Sequence, residues 1–96
     1  MNKLKSIIQK EKQCYITGRI DHLQEHHIFF GNPGRKLSEK YDLKVWLTME
    51  YHTASNNAVH NNRDFDLALK MIGQKAFEKT HGTREDFMRI FGRNYL

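Results

Sequence analysis

The stretch EHHIFFGNPGRK, residues 25–36, places two adjacent histidines at the head of an apolar triplet and follows them with a glycine-rich turn and two cations. Glu25 to Phe30 has the β-favouring composition of a strand. Gly31, Pro33 and Gly34 close it, because proline cannot donate to a ladder and glycine accepts positive φ. A strand that only filled a core would have no use for two imidazoles, so the pair directs attention to the other histidines. Four of the six, His26, His27, His52 and His60, lie close together in the chain.

Downstream of the turn, RKLSEKYDL is polar and reads as loop with at most one helical turn. KVWLT, residues 44–48, is short, β-branched and aromatic and reads as the second strand. Thr48 is placed to cap a helical segment opening at MEYH, with Glu50 near the positive end of its dipole. RDFDLALKMIGQKAFEKTHG is the clearest helix: Phe65, Ala68, Leu69, Ile72 and Ala76 form one stripe, and Gly82 stops it. Thr83 caps a last helix, REDFMRIF, that buries Phe87, Ile90 and Phe91. At the other end, KLKSIIQKEK (residues 3–12) has Leu4, Ile7 and Ile8 at the spacing of a short amphipathic helix, and CYITGRIDHLQ reads as an extended arm turning at Thr17-Gly18.

Composition narrows the chemistry. Ninety-six residues, 39% of them hydrophobic, suffice for one small domain. No apolar run approaches the roughly 18 residues of a membrane span, and the N-terminus lacks a secretory signal's apolar core, so a cytoplasmic protein is expected. The single cysteine, Cys14, excludes an internal disulfide and paired-cysteine zinc sites, and is expected to be a small buried hydrophobe. Any metal must rest on histidine and oxygen. Sixteen Lys and Arg against eleven Asp and Glu, a net charge of +5, favour a polyanionic partner. His22 and His81 read as surface residues, and Trp46 and the late phenylalanines as core.

Neutral imidazole serves both as a metal ligand and, with its pKa near neutrality, as a general base. HHI on a strand, a loop, the strand VWLT, then MEYH and AVH resembles the ββα-metal (His-Me finger) fold of the HNH endonuclease superfamily, and the chain resembles small phage-encoded proteins of that class. The resemblance covers residues 26–60. It implies a core of a short β-hairpin and helix; flanked by the N-terminal helix and two C-terminal helices that the patterning predicts, this gives an α+β fold in one domain over 1–96 with its motif core at 24–62. It further implies a metal-dependent DNA endonuclease with His26, His52 and His60 as ligands of one divalent ion and His27 as the base that activates water. The ion would be magnesium or manganese for catalysis, with zinc or nickel able to occupy the site. DNA is the implied partner, with a homodimer or a phage protein as further partners, in a bacterial host cell. Arg35 and Lys36, beside the site, are the preferred phosphate contacts, and Glu25 is placed to orient an imidazole.

The family's middle asparagine is replaced: the corresponding place reads Asp42-Leu43. Asp42 can accept the same backbone hydrogen bonds but cannot donate as an amide does. Asn57 is an alternative orienting residue, as are Asn32 and Asn56. This departure keeps a second reading open, a non-catalytic DNA-binding or accessory module of the same fold.

Two geometric conditions follow. His52 and His60 are eight apart, about 12 Å of rise on a straight helix, so one ion needs a break, expected at SNNA, residues 55–58. Neighbouring His26 and His27 face opposite sides of a regular strand and share a site only if the strand twists, bulges or ends there.

Overall fold

The computed structural model describes residues 5–96. Its elements in chain order are β1 (Leu23–His27), α1 (Gly34–Tyr41), β2 (Lys44–Thr48), a five-residue π-helical turn (Glu50–Ala54), α2 (Arg63–Thr80) and α3 (Arg84–Phe91). It is a mixed α+β domain built on one antiparallel hairpin, in which Gln24 faces Leu47, His26 faces Val45 and His27 faces Lys44. Strand β1 ends at His27, earlier than the apolar triplet suggests. Ile28 still donates to the Leu43 carbonyl, but Phe29 turns inward, where its N–H and C=O both bond the buried Ser38 hydroxyl.

Ser38 belongs to a helix that the polar composition of residues 35–43 concealed. Two turns form there instead of a loop because Ser38 and Tyr41 face inward, Tyr41 packing edge-on against Phe77 with ring centroids 5.2 Å apart. The helix ends where Asp42 adopts φ 60° and its N–H returns to the Ser38 carbonyl. The remaining core lies between the hairpin and the C-terminal helices. Phe29 meets Phe87, Phe91 and Tyr95 at centroid distances of 4.7–5.5 Å. Gly73 makes that approach possible, since a Cβ there would stand 2.9 Å from the Phe29 ring.

The expected N-terminal helix does not form among residues 5–12; its first positions, including Leu4, lie outside the described residues. A helix of that length is marginal in water, and better partners compete for its backbone. Ile7 donates to the Asp42 carbonyl, the Ser6 hydroxyl donates to the Lys44 carbonyl, and the Gln9 side-chain carbonyl accepts from Trp46 N–H. Tyr15 N–H then donates to the Trp46 carbonyl. Residues 6–15 thus cover the outer edge of β2, an edge that would otherwise invite another strand.

Helix α2 matches its expected span, but its buried stripe is Leu69, Gly73, Gln74 and Phe77, and Ala68 is exposed. Polar Gln74 enters the core because its amide is bonded by Glu78, Asn94 and Tyr95 N–H. Thr83 caps α3 in a reciprocal box with Asp86. The Thr17-Gly18 turn forms with Gly18 at φ 77°, Cys14 and Trp46 are buried, and His22 and His81 are exposed. Among the described residues no helix is long and apolar enough to cross a membrane.

Candidate metal centre

His26 and Gln24 share one face of β1, and His27 and Glu25 share the other. On the first face the chain brings up His52 and His60. The π-helical turn carries His52, and Ser55, extended at φ −140° and ψ 171°, stops it inside the expected SNNA break. The chain then doubles back: Val59 N–H donates to the Tyr51 carbonyl, and Asn61 Nδ2 donates to the Thr53 and Ser55 carbonyls. Eight residues of separation collapse, and the Nε2 atoms of His52 and His60 stand 3.1 Å apart. His26 completes the group, with its ring 5.2 Å from each of theirs and one ligand atom from each residue within 4.8 Å of the others.

The donor chemistry fits a transition-metal ion. Bonds of about 2.0–2.1 Å in tetrahedral geometry separate two nitrogens by roughly 3.3 Å, close to the His52–His60 spacing. Gln24 Oε1 lies 2.7 Å from His52 Nδ1 and can only accept there, so a neutral His52 carries its hydrogen on Nδ1 and a lone pair on Nε2. His26, 1% exposed, buries an Nε2 atom that has no hydrogen-bond partner. Burial, reinforced by the positive charge of His52, His60, His27 and Lys70, pushes the His26 pKa down to about 3. His52 is also lowered, by burial and then by His60 and His27. Both residues are therefore neutral near pH 7, the ligand form of imidazole. An ion held by these three donors would keep at least one coordination position for a further ligand.

His27 takes no part in that group. Its Nε2 lies 2.5 Å from Glu39 Oε2 and 3.7 Å from Glu25 Oε1. Lys44, 4% exposed and opposite His27 in the hairpin, donates from Nζ to Glu39 Oε1 at 3.1 Å. The His27 hydrogen bond, followed by Lys44, holds the Glu39 carboxyl below its ordinary value. Because β1 ends at His27, both imidazoles border one cleft, lined also by Glu25, Phe30, Arg35, His52 and His60. The strand-end condition is met.

The other expected site residues are placed differently. Asp42 caps α1, and among the described residues no hydrogen bond joins it to the imidazoles. Asn57 is exposed in the turn after the π-helical segment, its N–H donating to the Ser55 hydroxyl, and Asn32 and Asn56 are exposed. Arg35 borders the cleft; Lys36 is exposed outside its lining. Sequence reasoning missed Gln24, Glu39, Lys44 and Asn61. Lys44 faces His27 through a strand register that the two expected strands left open, and Glu39 sits on the helix read as loop.

Compared with models of known protein families, with curated proteins and with solved structures, the chain matches none.

Proposed function

We propose that this protein is a metal-dependent endonuclease of the HNH type, hydrolysing phosphodiester bonds in DNA. The observation that carries the reading is one cleft bordered by three convergent imidazoles and a fourth that is hydrogen-bonded to a carboxylate. His26, His52 and His60 would hold the ion, and Gln24 would keep the His52 lone pair directed at it. Such an ion would neutralise charge on the phosphoryl oxygens and the departing 3′ oxygen, a contribution typically of several kcal/mol.

His27 acts as the base. With its Nε2–H donated to Glu39, its free lone pair lies on Nδ1, which takes the proton from the attacking water. The Glu39 carboxylate stabilises the imidazolium that results, and Lys44 anchors that carboxylate. Arg35 is positioned to meet a phosphate entering the cleft. The net charge of +5 suits a DNA partner.

The test is nicking of supercoiled plasmid by chelator-stripped protein given magnesium, manganese, nickel or zinc separately. His27→Ala should lose about 10²–10⁴-fold in rate while the three-histidine group keeps its affinity for its ion, and His52→Ala should lose both. Nicking by His27→Ala at the wild-type rate would overturn the assignment of the base. The engagement of Asp42 in a helix cap, where the family has its orienting asparagine, favours a second reading, a DNA-binding module without hydrolysis. Retardation of DNA with no nicking under any metal would select it.

A further inference from the structure

Glu25 Oε1, His27 Nε2 and Glu39 Oε2 form a second convergent set, all within 4.8 Å of one another. It projects from the opposite face of β1 to the three-histidine group and draws on α1 for its third member. We propose that this set is a second cation site, selective for a nitrogen-preferring ion such as zinc, and that its occupation switches off His27.

The geometry needs little adjustment. Tetrahedral donors about 3.3 Å apart fall between the present nitrogen–oxygen distances of 2.5 Å to Glu39 and 3.7 Å to Glu25. His27 is fixed, its side chain only 6% exposed, and Glu39 is held by His27 and Lys44, whereas Glu25 is 39% exposed and has room to close on an ion. The charges also suit it. Two carboxylates and one imidazole meet the ion, and the cation already facing Glu39, the Lys44 ammonium, holds its other oxygen, Oε1, leaving Oε2 for the ion. Arg35, which also lines the cleft, has no ion pair with either glutamate among the described residues. Magnesium, an oxygen-preferring ion that keeps its waters, has little use for the imidazole.

The functional consequence rests on the reading of His27 as the base. An ion on Nε2 displaces the hydrogen now shared with Glu39, and a neutral ring then carries its hydrogen on Nδ1. The lone pair that would accept the water proton is gone. Zinc beyond the first equivalent should therefore suppress the nicking that the first equivalent supports.

Zinc binding to the full chain, measured by calorimetry and equilibrium dialysis with zinc itself as probe, tests the proposal without reference to activity. Wild type should bind two ions per chain, and Glu25→Gln and His52→Ala one each, by loss of different sites. Glu25 is exposed, so its exchange for glutamine leaves the fold in place, and the lost site should weaken at least about 100-fold. One ion in wild type, removed by His52→Ala and untouched by Glu25→Gln, would overturn the second site and leave the nuclease reading standing. Two ions in a protein that nicks nothing would uphold the site and overturn the nuclease.

Discussion

His52 and His60, eight residues apart in the chain, meet with their Nε2 atoms 3.1 Å from each other across a turn closed by the Val59 N–H on the Tyr51 carbonyl and by the Asn61 side chain on the carbonyls of Thr53 and Ser55. A straight helix would hold the two rings about 12 Å apart.

Asn61→Ala removes two hydrogen bonds at an exposed turn and should cost only about 1 kcal/mol of stability. Its effect on the centre should be larger, about a tenfold loss of metal affinity, since ligand orientation is lost before the fold is. Cobalt(II) titration followed by its visible absorption would measure this. An affinity equal to wild type would show that the turn holds without Asn61.

Gln24→Leu frees the His52 ring to place its hydrogen on either nitrogen. Metal affinity should drop about 10–100-fold, with Gln24→Glu, which keeps the acceptor, retaining it. Nitrogen chemical shifts of the His52 ring in the metal-free protein provide a direct check. Nδ1–H should dominate in wild type and lose that dominance in Gln24→Leu.

Stability should fall as the medium is acidified. His26 has an ordinary pKa of 6.5 and is held at about 3 in the fold, so between those values the unfolded chain binds a proton that the folded chain refuses. The contribution is complete above pH 6.5 and is lost progressively toward pH 3. Glu39 acts in the same direction at lower pH, because its carboxyl is also held below its ordinary value. Urea unfolding at pH 7 and pH 5 should differ by about 1–2 kcal/mol, and bound zinc should widen the difference by adding proton competition for the same nitrogens. Equal stability at the two pH values would mean that His26 is solvated.

Ser38→Ala should be the most damaging small substitution near the site. The hydroxyl serves both the N–H and the C=O of buried Phe29, and its loss leaves them without partners, at about 1–3 kcal/mol. Thermal unfolding would register it as a clear fall in Tm. A change within error would mean that water replaces the hydroxyl.

Much of the arrangement was legible in the sequence. β-branched and aromatic composition located β2 and period-3.6 patterning α2 and α3, and the Thr83 cap was visible because capping depends on local residue types. The three-histidine group was legible because one residue type recurred, and the break at Ser55 because serine and asparagine compete with helical hydrogen bonds. What failed did so for tertiary reasons. The N-terminal segment had helical spacing, yet the open edge of β2 offered its backbone more partners than an isolated helix could. Helix α1 had the composition of a loop, and it folds because Ser38 finds two buried backbone groups to satisfy.

The sequence by itself determined which chemistry is available: imidazole without paired thiols, a basic surface, and two strands and two helices written in local pattern. Only the tertiary structure decided what each imidazole meets, with His52 and His60 folded onto His26, and Glu39 and Lys44 brought to His27. The reason is that a strand sends adjacent side chains to opposite faces, so their partners are chosen by whatever the rest of the fold packs against each face.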